Sequence, residues 1–158
     1  METEALIATP FGFDLFVAAG DAGVSASRFV RRSPRAGAPV RGRRHPVLGT
    51  ALARLEAYFG RRPPRFDVPL DLTGTPFEVA VWQATAALPY GIAVSYADVA
   101  RSIGRPNAAR GVARALSRTP LALFVPAHRV IGADGTLKGA GPGSLRRRLL
   151  AFEGIRIQ

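Results

Sequence analysis

At 158 residues, 47% of them hydrophobic, the chain has the material for one packed domain or for two small ones sharing a core. Its net charge of +11 comes from 22 basic against 11 acidic residues, and all but one of the basic residues are arginine, which binds phosphate bidentately and stacks on bases. Cysteine is absent, which removes disulfides, thiolate metal sites and cysteine nucleophiles, and no apolar run approaches the roughly 20 residues of a membrane span.

A phosphate-bearing polymer is therefore the expected partner. Nucleic acid is favoured over anionic membrane, because no long helix pairs a basic face with an exposed aromatic one. His45 and His128 lack metal-ligand spacing, so no metal and no cofactor are expected. The acidic N-terminus has no basic signal region, which points to a cytoplasmic protein, expected to be a monomer.

Ala5 to Ala8, Phe11 to Ala19 and Val24 to Val30 are apolar runs separated by Pro10-Phe11-Gly12 and Gly20-Asp21-Ala22-Gly23, a pattern that predicts a three-stranded antiparallel meander. Arg31 to Pro46 holds seven arginines or histidines among prolines and glycines and reads as a basic loop. Val47, Leu48, Leu52, Leu55 and Phe59 then recur at three- and four-residue steps, a helix closed by Gly60. Proline-rich Gly60 to Leu72 reads as an extended connection between residues 1–72 and 73–158.

Thr75-Pro76-Phe77-Glu78 is a helix start, with Thr75 as cap and Glu78 reaching back to the cap amide; Phe77, Val81, Trp82 and Leu88 form its inward face. Ser95 and Asp98 repeat the same device ahead of Tyr96, Val99, Ala100 and Ile103. Gly104-Arg105-Pro106 makes a turn, and Asn107 is the expected cap of a second helix running to Arg118. Two short helices joined by a glycine-containing turn make a helix-turn-helix. Ala108, Val112, Ala115 and Leu116 give the second helix a buried stripe, and Arg110, Arg114 and Arg118 line the opposite face beside Gly111. Small residues next to arginines suit a helix lying close against DNA.

Leu121 to Val125 is apolar and ends in Pro126-Ala127-His128-Arg129-Val130. The proline interrupts a buried run just where ionisable groups appear, which reads either as an ordinary strand end with a solvated His-Arg pair or as the floor of a pocket. Ala133 to Thr136 is a turn, residues 139–143 are glycine-rich, and Ser144 caps a last helix with Leu145, Leu149 and Phe152 facing in and Glu153 near its end.

Pro126-Ala127-His128-Arg129-Val130 resembles the Pro-Cys-His-Arg-Val signature of the O6-alkylguanine-DNA alkyltransferases, with alanine in the cysteine's place. The likeness extends through Gly74 to Trp82, Leu88 to Gly91, Val94 to Tyr96, Ile103-Gly104, Asn107 to Arg110 and Phe152 to Gly154, closely over residues 73–154 and loosely before them. It implies an N-terminal α/β domain of ribonuclease-H-like type over 1–72, and over 73–158 a mainly helical, winged-helix-like domain whose helix-turn-helix enters the minor groove. Ala108, Ala109, Arg110, Gly111, Arg114 and Arg118 would meet DNA, Arg110 filling the gap left by a flipped nucleotide and Tyr96 helping to drive the flip. Tyr96, Val125, Pro126, Ala127, Gly139 and Ala140 would line the lesion pocket. In the family, the histidine matching His128 activates the cysteine through a water, together with the glutamate matching Glu153.

Two departures accompany the lost cysteine. Thr119 stands where the family usually has asparagine, and Gly139 lies near the position of a bulky, usually tyrosine, side chain. The expectation that follows is a non-catalytic sensor, not an enzyme. It would bind and flip O6-alkylguanine in double-stranded DNA over a degenerate site of Ala127, His128 and Glu153, and hand the lesion to nucleotide excision repair proteins. The alternatives are an alkyltransferase whose cysteine has been replaced by alanine, and a plain helix-turn-helix regulator.

Overall fold

Short apolar runs, broken by glycine turns, build β1 (Thr3–Ala8), β2 (Phe13–Gly20) and β3 (Gly23–Arg31) into an antiparallel sheet in the order β1-β2-β3. This is a computed structural model, and it describes residues 2–36, 45–62, 66–135, 137 and 144–157. The chain divides into two compact units, one of Met1–Leu72 with Pro120–Phe124, the other of Thr73–Thr119 with Val125–Gln158. The fold is a small α/β one, with five α-helices among the described residues.

In the first unit Leu15, Val17 and Ala19 bury one face of β2, and α1 (Pro46–Phe59) brings Leu48, Leu52, Leu55 and Tyr58 to the core. Tyr58 is fully buried, although the helical period singled out Phe59, which is half-buried with its ring edge-on to Phe11 and Tyr58. Gly23 is required where β3 begins: its φ is 141°, and a Cβ would stand 2.5 Å from the Pro69 carbonyl oxygen. That close approach lets Val24 exchange backbone hydrogen bonds with Pro69 and Asp71. On the same strand Ser27 bonds to Pro120 and Ala122, so Pro120–Phe124 joins this unit by adding to the β3 backbone.

In the second unit both helix-start signatures close as capping boxes, Thr75 with Glu78 on α2 (Pro76–Ala86) and Ser95 with Asp98 on α3 (Tyr96–Ser102). The cap expected at Asn107 does not form. Helix α4 (Ala109–Ser117) starts two residues later, with Ala108 at its N-cap and no side-chain hydrogen bond there. Helices α2 and α4 are locked together by Trp82, whose indole N–H donates to the Ala115 carbonyl at 2.8 Å, and by Phe77, whose ring would lie 3.2 Å from a Cβ on Gly111. Val81, Trp82 and Thr85 are the buried face of α2; Phe77 and Leu88 are half-buried.

β4 (Val94–Ser95) pairs in parallel with β5 (Val130–Ile131), setting Ser95 opposite Ile131. The last helix, α5 (Leu145–Phe152), is capped by Ser144 as expected, but buries Leu149 and Leu150, while Leu145 and Phe152 are half-buried. No helix among the described residues is long and apolar enough to cross a membrane.

Candidate functional site

The turn that carries the site is made by Pro126. Its φ of −78° and ψ of 70° are those of an inverse γ-turn, closed by the Ala127 N–H donating to the Val125 carbonyl at 2.8 Å. The pyrrolidine ring fixes φ in this range and gives up an N–H that the corner has no use for. A single 3-10 turn, Ala127–Arg129, follows, with the Arg129 N–H bonded to the Pro126 carbonyl at 2.9 Å. Val125 and Pro126 are buried and Ala127 is half-buried, so the corner exposes the residue at 127 and turns the next two inward.

His128 and Arg129 are 4% and 3% exposed, which excludes a solvated strand end. Both meet Glu153. The His128 Nε2 lies 2.5 Å from one carboxylate oxygen; Arg129 donates through Nε at 2.8 Å and Nη2 at 3.2 Å to the two oxygens in turn. The Gly91 N–H adds a bond of 3.0 Å, and the remaining Arg129 nitrogen reaches the Leu88 carbonyl at 2.8 Å. The guanidinium also lies 5.8 Å from the Tyr90 ring centroid. Glu153 caps the C-terminus of α5, where the helix dipole disfavours an anion, and the bidentate Arg129 offsets that.

Burial opposes the charge on Glu153, but the bonds from His128, Arg129 and Gly91 outweigh it and hold the carboxyl at about 2. Burial likewise pushes His128 below its usual value, against the upward pull of Glu153 and with help from Arg129 and Arg146. Arg129 is thus the cation that matches Glu153, and His128 is neutral. An ionised carboxylate only accepts hydrogen bonds, so it assigns the imidazole proton to Nε2 and leaves Nδ1 with a basic lone pair.

Tyr96 opens α3 half-buried, and its hydroxyl accepts from Arg146 Nη2 at 3.3 Å. Arg110, Arg114 and Arg118 are exposed on α4, with Ala108, Ala109 and Gly111 half-buried beside them. Phe77 gives Gly111 a packing reason to be small, beside any need for close approach by a ligand. Arg118 differs from the other two in helping to hold the Glu78 carboxyl low, after the dominant bond from the Thr75 amide. Gly139 and Ala140 lie outside the described residues, as does the basic loop around Arg41 to Arg44. Among the described residues no group of His, Cys, Asp or Glu could hold a metal ion.

The structure joins Val125, Pro126, Ala127, His128 and Glu153 through one turn and one carboxylate. The residue pattern marks no part in this network for Arg129, Gly91 or Arg146, and marks Leu88 only as an apolar side chain of an inward face. Arg129 was signalled only by standing beside His128; the Leu88 carbonyl and the Gly91 amide are backbone groups, which a residue pattern does not mark.

The profile described as the DNA binding domain of 6-O-methylguanine DNA methyltransferase matches residues 76–155. A methylated-DNA–protein-cysteine methyltransferase from Mycobacterium leprae is 48% identical over 107 residues, covering 68% of this chain. The matched stretch spans 64% of that relative's length. The crystal structure of the Mycobacterium tuberculosis O6-methylguanine methyltransferase superposes with a TM-score of 0.78 at 38% identity, covering 97% of this chain and 93% of that one. The Mycobacterium tuberculosis protein in complex with DNA gives a TM-score of 0.76 at 37% identity, covering 95% and 91%.

Proposed function

The chain belongs to the 6-O-methylguanine DNA methyltransferase family, and we propose that it is the scaffold of an O6-alkylguanine-DNA alkyltransferase, carried here with alanine at the position of the alkyl-accepting cysteine. The expectation of a non-catalytic sensor, and of a protein outside the enzymes, is corrected by the relatives. A protein 48% identical over the matched stretch is named as a cysteine methyltransferase, and the missing thiol does not by itself define a separate, non-enzymatic class. The hand-over to excision-repair proteins belonged to that expectation and has no support in its absence.

The observation that carries the reading is the pair His128–Glu153, a neutral base oriented by an ionised carboxylate and standing next to position 127. Burying three ionisable groups is a poor way to gain stability, since apolar residues of the same volume do as well or better. A base held in one tautomer is what a nucleophile needs. With cysteine at 127, the thiol proton passes to His128 Nδ1, through a water in the family's scheme. The sulfur then attacks the alkyl carbon, the S–C bond forming as the C–O6 bond breaks. The electron pair goes to the purine, which takes up a proton to become guanine, and the thioether leaves each chain able to react once. An alanine methyl group accepts nothing, so the chain as it stands transfers no alkyl group.

Double-stranded DNA is the proposed partner, supported by the DNA complex of the Mycobacterium tuberculosis relative and by the arginine face of α4. The O6 atom of a paired guanine is out of reach, so the nucleotide must flip, Tyr96 helping to drive it out and Arg110 filling the gap. Ala108, Ala109 and Gly111 would allow close approach, with Arg114 and Arg118 on phosphates. Tyr96, Val125, Pro126, Ala127, Gly139 and Ala140 would line the pocket. In the same reading the first unit is ribonuclease-H-like, the second winged-helix-like, and the protein a cytoplasmic monomer.

The test is direct. A duplex labelled on the methyl group of O6-methylguanine is incubated with the unchanged chain and with Ala127→Cys. The variant is expected to take up about one label per molecule and the unchanged chain none; a folded Ala127→Cys chain that stays unlabelled overturns the proposal.

A further inference from the structure

Ser27 lies on β3, 2% exposed, and is bonded to Pro120 and to Ala122, which stands 95 residues later in the chain. Its amide donates to the Pro120 carbonyl at 2.9 Å, its carbonyl accepts from the Ala122 amide at 2.9 Å, and its hydroxyl donates to the Ala122 carbonyl. The two backbone bonds are one step of a parallel ladder centred on Leu121. The next step of such a ladder would give the Ala122 carbonyl to the amide of Phe29, further along β3. The Ser27 hydroxyl takes that carbonyl instead, and the pairing stops there.

The chain bends at the following residue. Leu123 has a φ of 71°, in the left-handed region that side chains rarely adopt, and it is 3% exposed. Such a conformation persists only where its surroundings over-determine it. Before it stands the Ser27 clamp on Ala122; after it stands Phe124, 1% exposed, whose ring meets Phe66 edge-on with centroids 5.2 Å apart. Val125 comes next, and its carbonyl closes the turn at Pro126 that presents position 127.

From this geometry we infer that Ser27 is a positioning residue for alkyl transfer: its hydroxyl ends the ladder at Ala122, imposes the bend at Leu123 and so fixes the origin of the turn that carries the nucleophile. Attack of sulfur on carbon tolerates little displacement, and an error of about 1 Å can slow such a step about a hundredfold. Without the hydroxyl the Ala122 carbonyl can pair further along β3, and Leu123 can relax out of the left-handed region. The turn then starts from a spread of positions. His128 is held by Glu153 and α4 by Trp82, so the base and the DNA-binding helix keep their places.

The inference rests on the alkyltransferase reading, and the experiment separates the two. Single-turnover label transfer is measured with Ala127→Cys alone and combined with Ser27→Ala, Ser27→Val or Ser27→Thr. Ser27→Ala and Ser27→Val are expected to slow transfer about tenfold at saturating DNA, while the Kd for the O6-methylguanine duplex and the midpoint of the pH profile stay in place. Ser27→Thr has the shape of valine but keeps the hydroxyl, and should remain within about threefold of the parent. Undiminished transfer in Ser27→Ala, equal rates for the Thr and Val variants, or a loss confined to Kd overturns the inference.

Absence of transfer with Ser27 intact overturns the functional reading instead. Positioning is then read by amide hydrogen exchange in the chain with alanine at 127, with and without Ser27→Ala. The Arg129 amide, bonded to the Pro126 carbonyl, is expected to exchange about tenfold faster. The Val24 amide, bonded to Pro69 from the same strand as Ser27, should keep its rate. An unmoved Arg129 amide, or equal acceleration at Val24, overturns the inference whatever the activity.

Discussion

Two groups of arginines in the same unit have opposite fates. Arg129 is 3% exposed, its guanidinium shared between the Glu153 carboxylate and the Leu88 carbonyl. Arg110 and Arg114 are exposed on α4 and make no ion pair among the described residues. The contrast teaches what the net charge of +11 could not: an arginine matched internally is a structural part of the base-orienting network, and only the unmatched ones are available to phosphate.

Removing the internal match should show this most strongly. Glu153→Ala leaves Arg129 buried without its counter-charge and His128 without its orienting acceptor, and an uncompensated buried charge costs about 3–5 kcal/mol. The urea midpoint of unfolding is expected to fall accordingly. Glu153→Gln, which keeps shape and an acceptor, should lose less. A loss below about 1 kcal/mol for Glu153→Ala would mean that Arg129 reaches water on its own, and the contrast with α4 would collapse.

Acidification breaks the same network gradually. The Glu153 carboxyl ionises at about 2 in the folded chain against an ordinary 4.5. Because the folded value is the lower one, its contribution to stability is complete above about 4.5 and disappears as pH falls through 2. His128 is also depressed, chiefly by burial, so the unfolded chain takes up a proton that the folded chain resists. Its contribution is complete above the ordinary value of 6.5 and fades as pH falls below it. The two changes have the same sign. Unfolding midpoints measured from pH 7 downward should decline first from His128 and again from Glu153, and Glu153→Gln should lack the second decline.

The exposed arginines were visible in the sequence and the buried one was not, for a physical reason. Helical period alone puts Arg110, Arg114 and Arg118 opposite Ala108, Val112, Ala115 and Leu116; the last three are buried, and Ala108, at the N-cap, is half-buried. Local chemistry fixes the capping boxes at Thr75 and Ser95 equally well, since each is completed within four residues. The cap expected at Asn107 failed because the chain takes another turn before α4 begins, leaving the side chain one residue too early. Arg129 is harder still. Its partners are a carboxylate 24 residues away and a carbonyl 41 residues away, and no period links them. The same holds for Pro120–Phe124, which runs on from α4 in sequence but bonds to β3, nearly a hundred residues earlier.

The finest test separates the members of the exposed group from each other. Arg110→Ala and Arg114→Ala should each change stability by no more than about 0.5 kcal/mol, as exposed substitutions without buried partners do. Their effects on DNA should differ. If Arg114 meets only a phosphate, its loss weakens binding to O6-methylguanine and unmodified duplexes alike and lowers the salt slope by about one. If Arg110 fills the stack behind a flipped nucleotide, its loss falls mainly on the modified duplex, where flipping is completed, and spares the unmodified one. Binding of both variants to both duplexes across a salt series gives the comparison. Parallel losses for Arg110→Ala on the two duplexes would return it to the phosphate contacts, leaving α4 with one kind of arginine.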